Sequence, residues 1–374
     1  MVGPGSKELM FILNICLQAK VLLPIPSWVS YGPQASLFGN EVHWLSTRFE
    51  NKWLLTAEEL DTFCKQHSST GSSGDTTMLL VLNYPSNPTG ASYNEQQLKE
   101  LGEVARRHHL FILSDEIYGQ LHHEGRHLSL SKFYPEGTIL SSGISKWCGA
   151  GGWRLGTFLF PPTTRSILPA DLKQAVSAVA SESFSAVSAP VQHAAIAAYD
   201  RRLERGDGVL GDTFEDDYYL PGQRLVLKSL AGRFVQRLRE DGLRVAQPDG
   251  GFYLWLDFSP FRESLFQSKR IRFSNDLVMK LLEETGVALL AGSHFGSCSG
   301  HLQNGAHQHG GAEEPLTARL AYVNFDGEKA LSAAVTHLQR RPPPDGLLSD
   351  DFLQQHCGRT MSGLEHLLSW LPSS

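Results

Sequence analysis

Two kinds of segment alternate along the first two-thirds of the chain: short, continuously apolar runs and longer runs with helical spacing. Between two of the apolar runs, Asn94 predicts a helix N-cap and Gln97 completes a capping box for a helix that reaches His108. Apolar strands joined by amphipathic helices indicate an α/β fold, with a mostly parallel sheet sandwiched by helices. The apolar runs are TTMLLVLNY (76–84), LFILSDEIY (110–118), TILSSG (138–143) and RLGTFLF (154–160).

The pattern changes after residue 215. Strand and helix signals no longer alternate regularly there, so we predict two domains: a large domain over 1–215 and a smaller C-terminal α+β domain over 216–374. The elements predicted for the second domain are a long helix at 223–241, a turn between β-like runs at 243–258, a helix at 275–286 and a terminal helix at 351–371.

Composition and charge narrow the class of protein. The formal net charge of −6 and the pI near 6.2 provide no basic surface for nucleic acid. Every apolar run is shorter than the ~20 residues that a membrane span needs. The apolar start ELMFILNIC (8–16) follows a single early charge, Lys7, and precedes no cleavage site. We therefore expect a buried helix with Glu8 in its first turn, rather than a secretory signal.

Neither the cysteines nor two polar stretches match the residue spacing of a metal site. Five scattered cysteines with no metal-ligand spacing predict a reduced, cytoplasmic protein. The stretch at 67–77 is a small polar loop, and 297–315 is rich in Gly and His. We expect a flexible insertion near 297–315 and no metal site, because its thiol and imidazoles match no standard zinc spacing. Those side chains are Cys298, His301, His307 and His309.

Polar side chains follow three consecutive strands of the predicted sheet. Asn87 comes after the first, Asp115 and Tyr118 end the second, and Lys146 follows the third. Ligands of open α/β sheets bind outside the carboxyl ends of the strands. The sequence therefore predicts that these four side chains converge on one crevice.

Four motifs occur in an order that is typical of one family. Together they resemble the class I/II aminotransferases of fold type I, which depend on pyridoxal 5′-phosphate (PLP), and the resemblance runs from about residue 3 to the C-terminus. It implies a homodimer that moves an amino group from an amino acid to a 2-oxo acid. The motifs are NYPSNPTG (83–90), SDEIYGQL (114–121), SGISKWCGAGGWRLG (142–156) and LTARLAYVNFDG (316–327).

The third motif supplies the two residues that hold the cofactor in this family. Lys146 matches the Schiff-base lysine, which must bond, release and carry a proton. Small neighbours such as Gly143 and Ser145 leave it room to move, whereas a surface loop lysine would need no such room. Arg154 resembles the phosphate-binding arginine, whose planar fork suits a phosphate. The resemblance pairs it with Gly5, Ser6 and Lys7 at a predicted helix N-terminus, where free N–H groups favour an anion.

The remaining motifs imply residues for the cofactor ring and the substrate. Asp115 matches the aspartate that faces the pyridine nitrogen, and Glu116 beside it is expected to support the site from behind. Tyr118 and Asn87 would donate to the ring hydroxyl oxygen, and Asn87 also borders the substrate. Trp28 matches the aromatic residue that stacks on the ring, although an ordinary core tryptophan would look the same. Arg319 matches the arginine for the substrate α-carboxylate, with a structural ion pair as the alternative.

Two departures from the family pattern leave alternatives open. The chain opens almost at the phosphate loop, where family members carry further N-terminal elements, so a truncated, non-catalytic remnant is one alternative. A PLP-dependent lyase of the same fold is another, because it would share every cofactor residue. The segment SESFSAVSAP (181–190) lacks an arginine for a second substrate carboxylate. This disfavours an enzyme restricted to aspartate and leaves aromatic, aliphatic or broad amino acid substrates.

Overall fold

The computed structural model describes most of the chain, including all of the motif residues. The helices and strands below are those of the described residues. The ranges described are 1–67, 77–162, 167–169, 171–203, 218–296, 315–340 and 346–372.

Seven strands of the described residues form one mixed sheet, in the order β1-β7-β6-β5-β4-β2-β3. Strands β3, β2, β4, β5 and β6 run parallel to one another, whereas β7 is antiparallel to both β6 and β1. Parallel strands end at a common edge, so the carboxyl ends of β4, β5 and β6 lie side by side. The strands are β1 (Val2–Gly3), β2 (Lys20–Pro24), β3 (Glu41–Leu45), β4 (Met78–Asn83), β5 (Phe111–Asp115), β6 (Thr138–Gly143) and β7 (Gly156–Leu159).

Helices cover both faces of this sheet. Leu79 and Val81 of β4 pack with α1, α2 and α5, whereas Leu80 and Leu82 of the same strand pack with α3 and α4. Successive side chains point to opposite faces, so a strand covered on both sides must be apolar throughout. The helices of this part are α1 (Ser6–Cys16), α2 (Tyr31–Leu37), α3 (Ala57–His67), α4 (Glu95–Arg107), α5 (Leu172–Ser183) and α6 (Ala189–Leu203).

A second, antiparallel sheet follows, in the order β10-β11-β9-β8. Its core includes Leu254 and Leu320 from the strands and Leu230 and Phe234 from the long helix α7. Tyr118 belongs to the same apolar cluster, so the end of β5 packs against this second unit. The elements are β8 (Arg244–Val245), β9 (Tyr253–Asp257), β10 (Leu290–Ala291), β11 (Thr317–Ala321), α7 (Tyr219–Glu240), α8 (Arg262–Lys269), α9 (Ser274–Thr285), α10 (Gly327–Arg340) and α11 (Asp350–Trp370).

The predicted fold class is confirmed: a mostly parallel sheet lies between helices, with a smaller antiparallel sheet beyond it. The capping box of α4 is present, because Asn94 Oδ1 accepts from the Gln97 N–H and Gln97 Oε1 accepts from the Asn94 N–H. Glu8 stands in the first turn of α1, as expected. Strands β2 and β3 were not predicted.

Three predictions concern residues outside the described ranges. The domain boundary between 215 and 216 falls within 204–217, so the division of the chain stays a prediction. The stretch 297–315 lies almost wholly outside the described residues, as does 67–77, and the zinc question raised by Cys298 lies there too. In the described part of the chain, no helix is both long and apolar enough to cross a membrane.

Candidate active site

The ends of three neighbouring parallel strands bring the predicted residues together. Asn87 lies four residues beyond β4, Asp115 closes β5, and Lys146 lies three residues beyond β6. The Asn83 side-chain amide links the first two strand ends through two hydrogen bonds. Its Nδ2 donates to the Asp115 carbonyl at 2.8 Å, and its Oδ1 accepts from the Asn87 N–H at 2.7 Å. The predicted convergence at this sheet edge is therefore present in the structure.

Asp115 is buried and only half satisfied. Its Oδ2 accepts a 2.6 Å hydrogen bond from the Tyr31 hydroxyl, whereas Oδ1 has no hydrogen-bond partner in the described part of the chain. Burial raises the pKa of Asp115 to about 6. The Tyr31 hydroxyl, the Ile117 N–H, the Ser141 hydroxyl and the charge of Lys146 oppose that rise. A buried carboxylate oxygen without a donor carries a desolvation cost. A donor placed opposite Oδ1 would remove that cost.

Lys146 is half-buried in the turn that follows β6. Its Nζ lies 5.4 Å from the centre of the Tyr118 ring and 5.9 Å from that of Phe252. Burial lowers the pKa of Lys146, nearby Asp115 raises it, and the charges of Arg319 and Arg154 lower it further. The neutral amine, which is the nucleophile and the base, is thus more accessible than in an exposed lysine.

Tyr118 connects the strand end to the second sheet. Its hydroxyl lies 3.2 Å from the Tyr253 hydroxyl at the start of β9, and the two rings meet edge to face. Phe252 makes a similar edge contact with the Tyr118 ring. Burial raises the pKa of Tyr118 well above its ordinary value, so this phenol stays protonated and can donate a hydrogen bond.

Arg319 reaches the same place from β11. Its Nη1 donates 2.9 Å to Asn87 Oδ1, and its guanidinium stacks on the Tyr253 ring at 4.5 Å and on the Phe295 ring at 5.3 Å. The buried Nε–H has no partner in the described ranges. A guanidinium oriented on two rings with a donor to spare suits a planar carboxylate.

Arg154 lies at the other end of the site, next to the N-terminus of α1. Its Nη1 donates 2.6 Å to the Gly151 carbonyl and its Nη2 donates 3.1 Å to the Pro4 carbonyl. Gly5, at φ 96°, is the N-cap of α1, so no side chain caps the first N–H groups. A β-carbon on Gly156 would lie 2.1 Å from the Ser6 nitrogen, which means that β7 approaches this helix end as closely as a backbone can.

The other predicted residues border these two ends. Trp28 is half-buried, and its ring contacts the Tyr31 ring edge to face, with 5.2 Å between the ring centres. Lys7 Nζ lies 5.5 Å from the centre of the Trp28 ring. Ser145 is half-buried in the turn that presents Lys146. Asp115, Arg319 and Arg154 all lie within electrostatic reach of the Lys146 amine, so these four side chains belong to one region.

Comparison with known proteins identifies the family. The sequence matches the family model for aminotransferase class I and II over residues 1–305. The chain belongs to this family. This aminotransferase is 33% identical over 300 residues to an aspartate aminotransferase of Geobacillus stearothermophilus, which covers 78% of this chain and 68% of the relative.

Two further similarities agree with that assignment. The aminotransferase is 29% identical over 303 residues to an asparagine–oxo-acid transaminase of Streptococcus mutans, across 79% of this chain and 68% of the relative. An aromatic aminotransferase from Pyrococcus horikoshii has the same fold, with a TM-score of 0.67 and 24% identity over 91% of this chain and 79% of that one. The predicted family, transaminase function and PLP cofactor are confirmed.

The structure of this aminotransferase fits PLP at each end of the region. The unpartnered Oδ1 of Asp115 is an acceptor for a protonated ring nitrogen. The uncapped N-terminus of α1 with Arg154 beside it suits the phosphate. The half-buried amine of Lys146 stands within the same region and suits the aldehyde.

Sequence reasoning missed four aromatic residues of the site: Tyr31, Phe252, Tyr253 and Phe295. Tyr31 opens α2, and Trp28 lies three residues earlier in the turn before the helix, where its carbonyl accepts from the Tyr31 N–H at 3.1 Å. The other three come from the second sheet and the turn after β10. Only the tertiary structure brings them to Lys146 and Arg319.

Proposed function

We propose that this transaminase uses Lys146 to hold PLP and to move the substrate's α-proton, and Arg319 to bind the substrate's α-carboxylate. The observation that carries this proposal is the environment of the Lys146 amine, which lies beside two aromatic rings and within electrostatic reach of Asp115, Arg154 and Arg319.

The roles divide between binding and proton transfer. PLP, when bound, supplies the electron sink that stabilises negative charge at the α-carbon of an amino acid. Asp115 would orient the ring through Oδ1, and Tyr31 keeps that carboxylate in place. Lys146 Nζ removes the α-proton, and burial favours this by keeping part of the amine neutral.

Substrate binding falls to Arg319 and Asn87. The guanidinium is held by the Asn87 side chain and by two rings, so it offers its Nε–H to a carboxylate without first reorganising. We assign the Tyr118 hydroxyl and the Asn87 side chain to the ring hydroxyl oxygen. We assign Gly5, Ser6, Lys7 and Arg154 to the phosphate, Trp28 to the ring face, and Ser145 to the turn beside Lys146.

The proposed substrates are aromatic or aliphatic amino acids, or a broad range of amino acids, rather than aspartate alone. A second carboxylate would need a second cation, and the segment 181–190 has no arginine. Tyr253 and Phe295 make the surroundings of Arg319 aromatic. Aromatic, aliphatic and broad amino acid donors, with a 2-oxo acid as acceptor, fit these surroundings.

A homodimer in the cytoplasm is proposed as the form and place of action. Trp153, adjacent to Arg154, is 57% exposed, and a large exposed indole is typical of a surface that another chain covers. Cys16, Cys148 and Cys357 are free thiols, which suits a reducing compartment. Sedimentation at several protein concentrations tests the dimer.

Reductive labelling tests the central assignment. The purified protein is incubated with PLP, reduced with borohydride and digested, and the modified peptide is identified by mass spectrometry. We expect the pyridoxyl label on Lys146 and none in Lys146→Ala. Lys99→Ala, which removes a surface lysine paired with Glu95 at 3.0 Å, is the control and should label as the wild type does. A label on another lysine would refute the assignment.

A further inference from the structure

A second carboxylate lies buried directly behind the site. Glu116 is 6% exposed, and its Oε1 accepts hydrogen bonds from three hydroxyl groups. Its Oε2 lies 2.7 Å from His127 Nε2. The three hydroxyl donors are those of Tyr84 at 3.1 Å, Ser114 at 2.8 Å and Ser129 at 2.8 Å.

The neighbours of this carboxylate and those of Asp115 belong to the cores on opposite faces of the large sheet. Tyr84 and Leu130 around Glu116 belong to the core beneath α4, whereas Tyr31 beside Asp115 belongs to the core beneath α1. The Glu116 N–H donates 2.9 Å to the Ser141 carbonyl of β6, so the backbone is also fixed at this point. Glu116 thus anchors the stretch between Asp115 and Tyr118 from behind.

His127 and Tyr84 extend the anchor to two further segments. A β-carbon on Gly119 would lie 2.7 Å from the His127 ring, so the imidazole packs against the turn that follows Tyr118. The Tyr84 hydroxyl accepts 2.7 Å from the Leu130 N–H, and the Tyr84 N–H donates to the Asp115 carbonyl at 3.3 Å. Tyr84 also begins the segment that leads to Asn87.

Stability alone does not account for a carboxylate at this position. Burying a charge carries a desolvation cost that its partners only offset, and apolar packing of equal volume often serves stability as well. What four converging donors provide in addition is a single orientation. Because the Glu116 side chain has one orientation, it also holds in place the backbone of the residues immediately before and after it.

We propose that Glu116 is a positioning residue, which fixes Asp115 and Tyr118 in the geometry that the cofactor ring requires, with His127, Ser114, Ser129 and Tyr84 as its partners. The inference rests on the proposed function, because it concerns the residues that hold the ring. It predicts that the acceptor oxygens of Glu116 matter more than its charge.

Two substitutions separate these contributions. Glu116→Gln keeps an oxygen for the three hydroxyl groups, whereas Glu116→Leu keeps the volume and removes every acceptor. The matched control is Asp61→Asn, which alters another carboxylate that lies 2.7 Å from a histidine Nε2, that of His108, on α3 and α4. Each variant is assayed for turnover, for PLP affinity by tryptophan fluorescence, and for the circular dichroism of bound PLP, which reports how firmly the ring is held.

We expect Glu116→Leu to lower kcat about 100-fold with KM within about threefold, and to weaken the dichroic band, because a misplaced ring costs rate rather than substrate binding. Glu116→Gln and Asp61→Asn should stay close to the wild type in all three measurements. Should the leucine variant not fold, His127→Leu removes one partner and should lower kcat about tenfold.

Two results would overturn the inference: wild-type kcat and dichroism in a folded Glu116→Leu, or a loss in Glu116→Gln as large as that in Glu116→Leu. Failure of the proposed function is distinguishable from both. In that case the wild-type protein itself would show no pyridoxyl label on Lys146 after reduction.

Discussion

The Tyr31 hydroxyl donates a 2.6 Å hydrogen bond to Oδ2 of Asp115, across 84 residues of sequence. Both groups are buried, and burial is the main cause of the raised pKa of each. The bond fixes one carboxylate oxygen and leaves the other for a ligand. Several measurable properties depend on this pair.

The pH dependence of stability in the cofactor-free protein should reflect Asp115. Its pKa is 3.8 as an ordinary carboxyl and about 6 in the fold, so the folded protein binds this proton more tightly than the unfolded chain does. The contribution is fully present below about pH 4 and is lost as the pH rises through about 6, so that about 3 kcal/mol of stability has been lost by neutral pH. Asp115→Asn should therefore gain stability relative to the wild type across this range, as measured by urea unfolding.

Asp61→Asn supplies a control of opposite sign. Hydrogen bonds from Lys65 and His108 hold the pKa of Asp61 well below its ordinary value. Its contribution is therefore present above the unfolded pKa and is lost as the pH falls. A difference between Asp115→Asn and the wild type that does not change with pH would contradict the raised pKa of Asp115.

The Tyr31→Phe variant should weaken the interaction between Asp115 and the ring nitrogen of PLP. Without the hydroxyl, the pKa of Asp115 rises further, because the hydrogen bond from Tyr31 lowers it. A protonated carboxyl cannot pair with a protonated ring nitrogen, so PLP affinity should fall about tenfold and fall more steeply at low pH. Tyr134→Phe, which loses a 2.8 Å bond to the Leu110 carbonyl, is the matched control for a buried phenol. Equal affinity in both variants would count against the role of Tyr31.

The Lys146 amine should react at lower pH than surface lysines in the cofactor-free protein. Burial and two nearby arginines lower its pKa, whereas Asp115 raises it. Competitive labelling with a trace amount of acetic anhydride over a pH series measures this directly. Asp115→Asn should shift the labelling curve of Lys146 to still lower pH and leave that of Lys99 unchanged. A shift in the opposite direction would show that the two groups do not interact as described.

The Arg319→Ala variant should raise KM for the amino acid by about 10- to 100-fold, because a charge-assisted bond to a carboxylate contributes about 1.5–3 kcal/mol. PLP affinity should change little, since Arg154 lies at the other end of the site. Arg126→Ala, which removes an exposed guanidinium 3.8 Å from Glu124, provides the control. Unchanged KM in Arg319→Ala would remove this residue from the substrate site.

The Gly156→Ala variant should impair phosphate binding. The added methyl would meet the Ser6 nitrogen at 2.1 Å, so β7 and the start of α1 must separate. Overpacking of this kind costs about 1–3 kcal/mol, and the displaced N–H groups should weaken PLP binding while the affinity for pyridoxal, which lacks the phosphate, stays the same. Gly152→Ala has open space around the new methyl and should behave as the wild type. Equal losses for PLP and pyridoxal would place the phosphate elsewhere.

Local signals sufficed to predict the large sheet and its helices. Continuous apolar runs reflect strands that are covered on both faces, and the Asn94–Gln97 box is a purely local hydrogen-bond pattern. Strands β2 and β3 were not predicted, because the apolar run LLP (22–24) is short and VHWL (42–45) mixes polar with apolar residues. A buried His43 in β3 shows that burial does not follow composition alone.

The site divides in the same way between local and distant information. Residues that follow strand ends could be placed from the sequence, because parallel strands end together. The hydrogen bond of Tyr31, the rings of Tyr253 and Phe295 on Arg319, and the free Oδ1 of Asp115 all join segments that are far apart in the chain. No local pattern encodes such contacts.

Lys146 and Arg154 share one loop, and that loop is closed at its base. Gly143 at the end of β6 pairs with Gly156 at the start of β7, so residues 144–155 leave the sheet and return to it at neighbouring positions. The backbone positions of Lys146 and Arg154 relative to each other therefore depend on the length of this loop. Adding or deleting one residue between Lys146 and Arg154 would change the distance between them, while leaving both functional groups intact.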